Sequence, residues 1–274
     1  TKDTGTELRA LRRRIESLQV AGKSSMETVR ELWPLLGHSD RFIRYAARVA
    51  LEFQDVKLWH ESLIKETNTE TLLTGAVALA HVGEPSSRDA ITTALSKLDW
   101  KKLDEAQRIE LLRSYELVFI RLGAPDQALA TTVLKQIDAA FPTKNAAVDR
   151  ELANVLVFLN SPTIINKCLA IMNPQEESTD TNGLSAAAEV LARNQGYGGT
   201  VAKVLSNQVN LQQMHYAFAL RNMRFGWTLE QRQQYFGWYN EAAKRSGGNS
   251  YQKFLINMKN EALANASEIG RAHV

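Results

Sequence analysis

Apolar residues recur along this chain at spacings of three and four, and hardly anywhere in strict alternation. That period predicts helices throughout and no strand. Residues 6–20 open the pattern, with Leu8, Leu11, Ile15 and Leu18 on one face against Arg9, Arg12, Arg13, Arg14 and Glu16. Gly22 ends this helix. Ser25 caps a second one that runs to Leu36, bent or ended near Trp33-Pro34 because proline lacks an N–H. Helix 39–53 is greasier. Ser39 is its expected N-cap, and Asp40 puts negative charge at the positive end of the dipole. From Phe42 on, the polar residues are confined to Arg44, Arg48 and Glu52, which share one narrow stripe with Arg41. Such a helix has to be packed on most sides.

The alternation then repeats. Helix 55–66 is amphipathic, whereas helix 69–82 is almost wholly apolar, with Glu70, Thr74 and His81 on one edge. Gly83 closes it and Pro85 stops it. Helices 86–98 and 104–122 make a third pair, with Asp104 as cap and Gly123-Ala-Pro125 as terminator. Helices 126–141 and 146–159 make a fourth, closed by Asn160-Ser-Pro162. One amphipathic helix followed by one apolar nearly all round is how a repeat buries its face on its neighbours. The second helices end near Phe53, Gly83, Gly123 and Asn160, spacings of 30, 40 and 37. Two-helix repeats run at roughly 40–47 residues, so one member is short.

Residues 173–183 are polar and rich in breakers, and are expected to form a mobile loop. Short helices 184–194 and 199–208 follow, interrupted by Gly196-Tyr-Gly198-Gly199, and helix 210–225 resumes the earlier pattern. Residues 226–240 are aromatic-rich and start with a capping box, Thr228 with Gln231. Gly247-Gly248-Asn249-Ser250 ends that helix and caps a last one reaching about Ala264. An aromatic-dense final pair suits a unit that seals the end of a stack. Residues 267–274 read as a frayed tail. The expectation is a single all-α domain over 1–274, with N-terminal repeats in 1–172 and C-terminal repeats and cap in 184–266.

Several stretches carry a resemblance. Ile43, Arg44, Ala46, Ala47, Ala50 and Leu51 resemble the inner helix of a HEAT repeat, of Val-Arg-x-x-Ala-Ala-x-x-Ala-Leu type. Two C-terminal groups join them. One is His215-Tyr-Ala-Phe-Ala-Leu220-Arg221 with Gly226-Trp227-Thr228 and Tyr235-Phe236-x-Trp238; the other is Gly247-Gly248-Asn-Ser250-Tyr-x-x-Phe254. Together they make most of residues 6–264 similar to the HEAT-like segment of large exported bacterial multidomain proteins. Those proteins often carry a c-type haem domain and sometimes a dehydrogenase-like propeller. The resemblance implies an α-α superhelix, a HEAT/armadillo-like solenoid of antiparallel helix pairs. It also implies an accessory or scaffolding role and a periplasmic or extracellular setting. Two departures stand out: there is no Cys-x-x-Cys-His within the chain, and His38 stands where such repeats often have Asp.

Composition narrows the chemistry. The 274 residues hold 33 Lys and Arg against 30 Asp and Glu. Residues 1–60 hold 11 against 8, so the whole surplus of +3 lies there. Acids are mixed through it, unlike the dense basic stripe of a nucleic-acid binder. Cys168 is the only cysteine, which excludes intrachain disulfides and multi-cysteine zinc sites. With Ile165, Leu169 and Met172 beside it, it reads as a small buried hydrophobe. No apolar run approaches the roughly 20 residues that span a bilayer. The start at Thr1 without Met reads as a mature or excised fragment. The five histidines have no metal-ligand spacing, and no nucleophile, base and orienting group come together in a motif. Neither enzyme activity nor a cofactor is expected.

The polar edges of the inner helices remain: Arg41, Arg44, Arg48, Glu70, Thr74, His81, Glu110, Arg113, Arg121, Arg150 and Asn154. In a solenoid they would line the concave face, where arginine forks grip carboxylate or phosphate. The competing use is ion pairing between repeats, as for Arg48 with Glu52. The expected function is a non-catalytic protein-interaction or domain-docking scaffold within a larger protein, whose partner is a protein or another domain of the same polypeptide. The candidate partner-binding residues are Arg41, Arg48, Glu70, His81, Arg113, Arg121 and Arg150. Arg41 and Arg48 come first, because the repeat pattern does not explain them. One alternative is a nucleic-acid-binding HEAT-like protein that joins Arg9–Arg14 to the groove. Another is an accessory segment of a periplasmic c-type cytochrome or dehydrogenase with its cofactor domains outside this chain.

Overall fold

A computed structural model describes residues 4–173, 209–245, 247 and 250–266. Among these residues the chain is helical, with no strand. It divides into two compact units, Thr1–Ala139 and Ala140–Val274.

The first unit holds α1 (Thr4–Glu16), α2 (Met26–Leu32), α3 (Arg41–Glu52), α4 (His60–Ile64), α5 (Thr69–Val82), α6 (Arg88–Ser96), α7 (Glu105–Leu122) and α8 (Gln127–Ile137). A 3-10 turn, Trp33–Gly37, continues α2, with Pro34 in its first turn as expected of a residue without an N–H. Helix α3 packs between α1 and α5, and α5 packs between α3 and α7. Of the other members, α6 packs on α4, α5, α7 and α8, and α4 also packs on α5. Helix α5 is the centre: Leu72, Leu73, Ala76, Ala78, Leu79 and Ala80 are all buried. The 3-10 turn comes so close to it that a Cβ on Gly37 would sit 2.8 Å from Thr71 Oγ1. Any larger residue there would force the Thr71 side chain to shift.

The second unit holds α9 (Ala146–Phe158), α10 (Ile164–Met172), α11 (Leu211–Leu220), α12 (Leu229–Ala242) and α13 (Tyr251–Asn265). Helix α11 packs on α9, α10 and α13, and α12 on α10 and α13. Cys168 is buried in this core, as its neighbours suggested, and burial pushes its thiol up. Tyr235, Phe236, Trp238 and Tyr239 are buried along α12. Their hydroxyls are satisfied: Tyr235 donates to the Ala217 carbonyl at 2.7 Å, and the Tyr239 hydroxyl lies 2.9 Å from that of Tyr235. The capping box at Thr228 and Gln231 forms as the sequence predicts; Asp104 caps α7 as expected, and Gln107 completes a box there.

Three expectations need correction. The cap of α3 is Asp40, not Ser39: Asp40 Oδ1 accepts from Phe42 N–H at 2.8 Å and from Ile43 N–H at 3.1 Å. The Asp40 N–H itself donates to His38 Nδ1 at 3.0 Å, which fixes the register of the turn. Helix 55–66 is broken into a 3-10 turn, Val56–Leu58, and the short α4, because fully buried Trp59 leaves helical geometry between them. Finally, the exposed edge of α3 is wider than the polar stripe read from the sequence, since Phe42 and Tyr45 are exposed as well. The expected loop at 174–183, the helices 184–194 and 199–208, and the tail 267–274 lie outside the described residues.

The two cap assignments are separable. Asp40→Ala should lower stability by about 1 kcal/mol, the usual cost of a lost N-cap, while Ser39→Ala should leave it within about 0.5 kcal/mol. Denaturant melts of the two variants check this; a larger loss for Ser39→Ala would restore the original assignment.

Candidate functional site

Helices α3, α5 and α7 lie side by side and run the same way. Arg44, near the start of α3, pairs with Glu70 at the start of α5 at 3.6 Å. Gln107, at the start of α7, donates to the same Glu70 at 2.9 Å. At the far end, Glu52 of α3 meets His81 of α5 at 2.9 Å. The polar edges read from the sequence therefore do come together in the first unit, as one row of contacts across three helices.

Arg44 is used up within the fold. It donates to the His38 carbonyl at 2.7 Å, pairs with Glu70, and reaches Glu110 at 4.0 Å. Arg48 is similarly occupied: it bonds Glu52, lies 3.0 Å from His81 Nδ1, and stacks on the Tyr45 ring at 5.0 Å. Glu70 and His81 are thus neighbour contacts of these arginines. Arg113 is exposed beyond Glu110 on α7, and its charge acts on that carboxyl. Arg121 is exposed near the end of α7. Arg41 is exposed and makes no ion pair among the described residues; its guanidinium sits 4.9 Å from the Phe42 ring. Arg150 belongs to the second unit, where it donates to Gln212 at 2.9 Å. On α1, Arg12 pairs with Glu16 and Arg14 with Glu31.

The residues that sequence reasoning missed are the aromatics beside these cations. Phe42 is 54% and Tyr45 59% exposed. With Val49 and Phe53 they form one stripe at spacings of three and four along α3, and Phe53 is also exposed. The packed face of the same helix is built of Ile43, Ala46, Ala47, Ala50 and Leu51. A signal was present: small alanines mark where a neighbouring backbone comes close, and the large rings stand off that face. Counting all apolar residues alike hid the difference.

In the second unit a groove of about 740 Å³ runs between α10 and α12, lined by Asn166, Asn173, Gln234, Trp238 and Glu241 among others. Among the described residues no three His, Cys, Asp or Glu side chains gather as a metal ion would require. No helix among them is long and apolar enough to cross a membrane. Comparison with family models, with curated proteins and with solved structures finds no match.

The row has one weak point. Burial pushes the Glu110 carboxyl up, Glu70 adds to the rise, and Arg44 opposes it. The folded chain therefore holds this proton more tightly than the unfolded chain. Stability is higher below the unfolded pKa and falls as pH rises through the folded one. Glu110→Gln should then raise stability at pH 7 by less than about 1 kcal/mol, because the group is partly solvated, and should change nothing near about pH 3.5. Thermal melts at the two pH values read this; a loss at pH 7 would mean that the Arg44 pairing outweighs the repulsion.

Proposed function

We propose that this chain is a protein-interaction module of HEAT-like solenoid build, and that the α3 edge of the α3–α5–α7 row docks an acidic segment bearing apolar side chains. The segment comes from another protein or from another domain of the same polypeptide. The observation that carries this reading is the exposure of Phe42 and Tyr45 beside Arg41, a cation with no carboxylate among the described residues. Exposed aromatic rings next to arginine have the composition of a binding hot spot. Charge supports the same partner, since the formal surplus of the whole chain lies within residues 1–60. Arg44, Arg48, Glu70 and His81 hold the row together and present the patch instead of gripping the partner. The alternating amphipathic and apolar helices, with α3, α5 and α7 parallel, support the repeat reading.

A displayed library of short random peptides tests it. Selected binders should be enriched in Asp or Glu next to aromatic or aliphatic residues. Arg41→Glu with Tyr45→Ala should weaken them at least about tenfold, the loss of one hot-spot contact or more, with the melting temperature unchanged because both side chains are exposed. Recovery of no binders, or binders indifferent to both substitutions, would sink the proposal.

A further inference from the structure

The groove between α10 and α12 belongs to the second unit alone. The two helices start together, since Gln231 in the first turn of α12 donates to Asn166 in the first turn of α10. Each then contributes two exposed polar side chains at a spacing of seven: Asn166 and the C-cap Asn173 from α10, Gln234 and Glu241 from α12. Two turns put the members of each pair about 10 Å apart along the axis. Asn173 and Gln234 make no side-chain hydrogen bond among the described residues, and Asn166 uses only its carbonyl oxygen. Each open amide presents a donor beside an acceptor or a free donor.

The floor is different. Leu169, Ala170 and Gly237 lie along it, and Trp238 has its one polar atom committed elsewhere, Nε1 donating to Gln213 Oε1 at 3.3 Å. Gly237 is the residue that packing does not explain. It sits in the interior of α12, where glycine is disfavoured relative to alanine. It is not among the glycines with positive φ. A Cβ there would meet nothing within 4 Å, so no neighbour asks for its smallness. What a bare position does at that point is keep the groove open.

We propose that this groove binds a neutral saccharide about two rings long. Its volume, about 740 Å³, lies in the range of small-molecule sites, roughly 300–1,000 Å³. No Lys or Arg is among its lining residues, and the one charged member, Glu241, is paired with Lys244 at 2.7 Å. A phosphate or a carboxylate therefore finds no counter-charge there. A sugar needs none. Its hydroxyls donate and accept around the ring edge, where the amides stand, and its C–H face suits an apolar floor. Two linked pyranose rings also span about the 10 Å that separates the members of each polar pair.

The test is an NMR titration of the whole chain followed at the side-chain amide resonances of Asn166, Asn173 and Gln234. The probes are maltose, cellobiose and diacetylchitobiose, with N-acetyl-trialanine amide standing for a peptide backbone and glycerol for hydroxyls without a ring. At least one disaccharide should shift all three resonances saturably with a Kd on the order of 1 mM, and tighter than glycerol or the peptide by at least about tenfold. Gln234→Ala should weaken that binding at least about threefold, the share of one hydrogen-bonding side chain. Gly237→Met should abolish it by filling the groove, while the melting temperature holds or rises, because a good helix former replaces glycine in open space. No saturable shift with any disaccharide would overturn the proposal. So would peptide binding as tight as the sugar's, which would assign the groove to a polypeptide, or glycerol shifting the resonances equally well. Unchanged binding in Gly237→Met, or a clear fall in its melting temperature, would overturn the argument from the bare position. The first three outcomes are read on the unmodified chain and do not depend on any variant folding.

Discussion

A helix covered on almost every side has one ridge left for polar groups, and α5 sets the terms for the first unit. Its outward ridge is Glu70, Thr74, Val77 and His81. Polar groups that α3 and α7 turn toward α5 can meet partners only there. Arg44 and Gln107 converge on Glu70, and Glu52 meets His81. Each of these bonds joins a helix to its immediate neighbour in the row. They are part-exposed and individually weak, so the apolar packing beneath supplies the stability and the bonds supply alignment. The same convergence decides which cations are free for other work. Arg44 and Arg48 are drawn inward, and Arg41 is left at the edge with its ring.

Much of the fold was legible, because helix boundaries here follow local chemistry. Asp104 with Gln107, Thr228 with Gln231, Gly83 and Pro85 each act within a few residues of themselves. What was not legible depended on groups further away or on a close local choice. Ser39 and Asp40 are both good caps, and the hydrogen bond from Asp40 N–H to His38 decides between them. The break inside 55–66 follows from the complete burial of Trp59, whose indole reaches the Gln54 carbonyl at 3.4 Å. No periodicity encodes that.

The candidate sites divide along the same line. The ridge of polar residues on the inner helices could be read from spacing alone, since spacing determines which side chains share a face. Who pairs with whom could not, because it depends on the stagger of one helix against the next. The exposed rings of α3 lay in plain view and were misjudged by their apolarity.

The lone thiol gives the second unit a built-in gauge. Cys168 is sealed in the packing around α10, and burial holds it in its unreactive protonated form. An alkylating reagent can reach it only when that packing opens. Since the chain has no second cysteine, every labelled molecule records one such event at one place. The rate of labelling under native conditions thus becomes a clock for the breathing of this half of the molecule, the free energy of local opening being read from chemistry instead of from a melt.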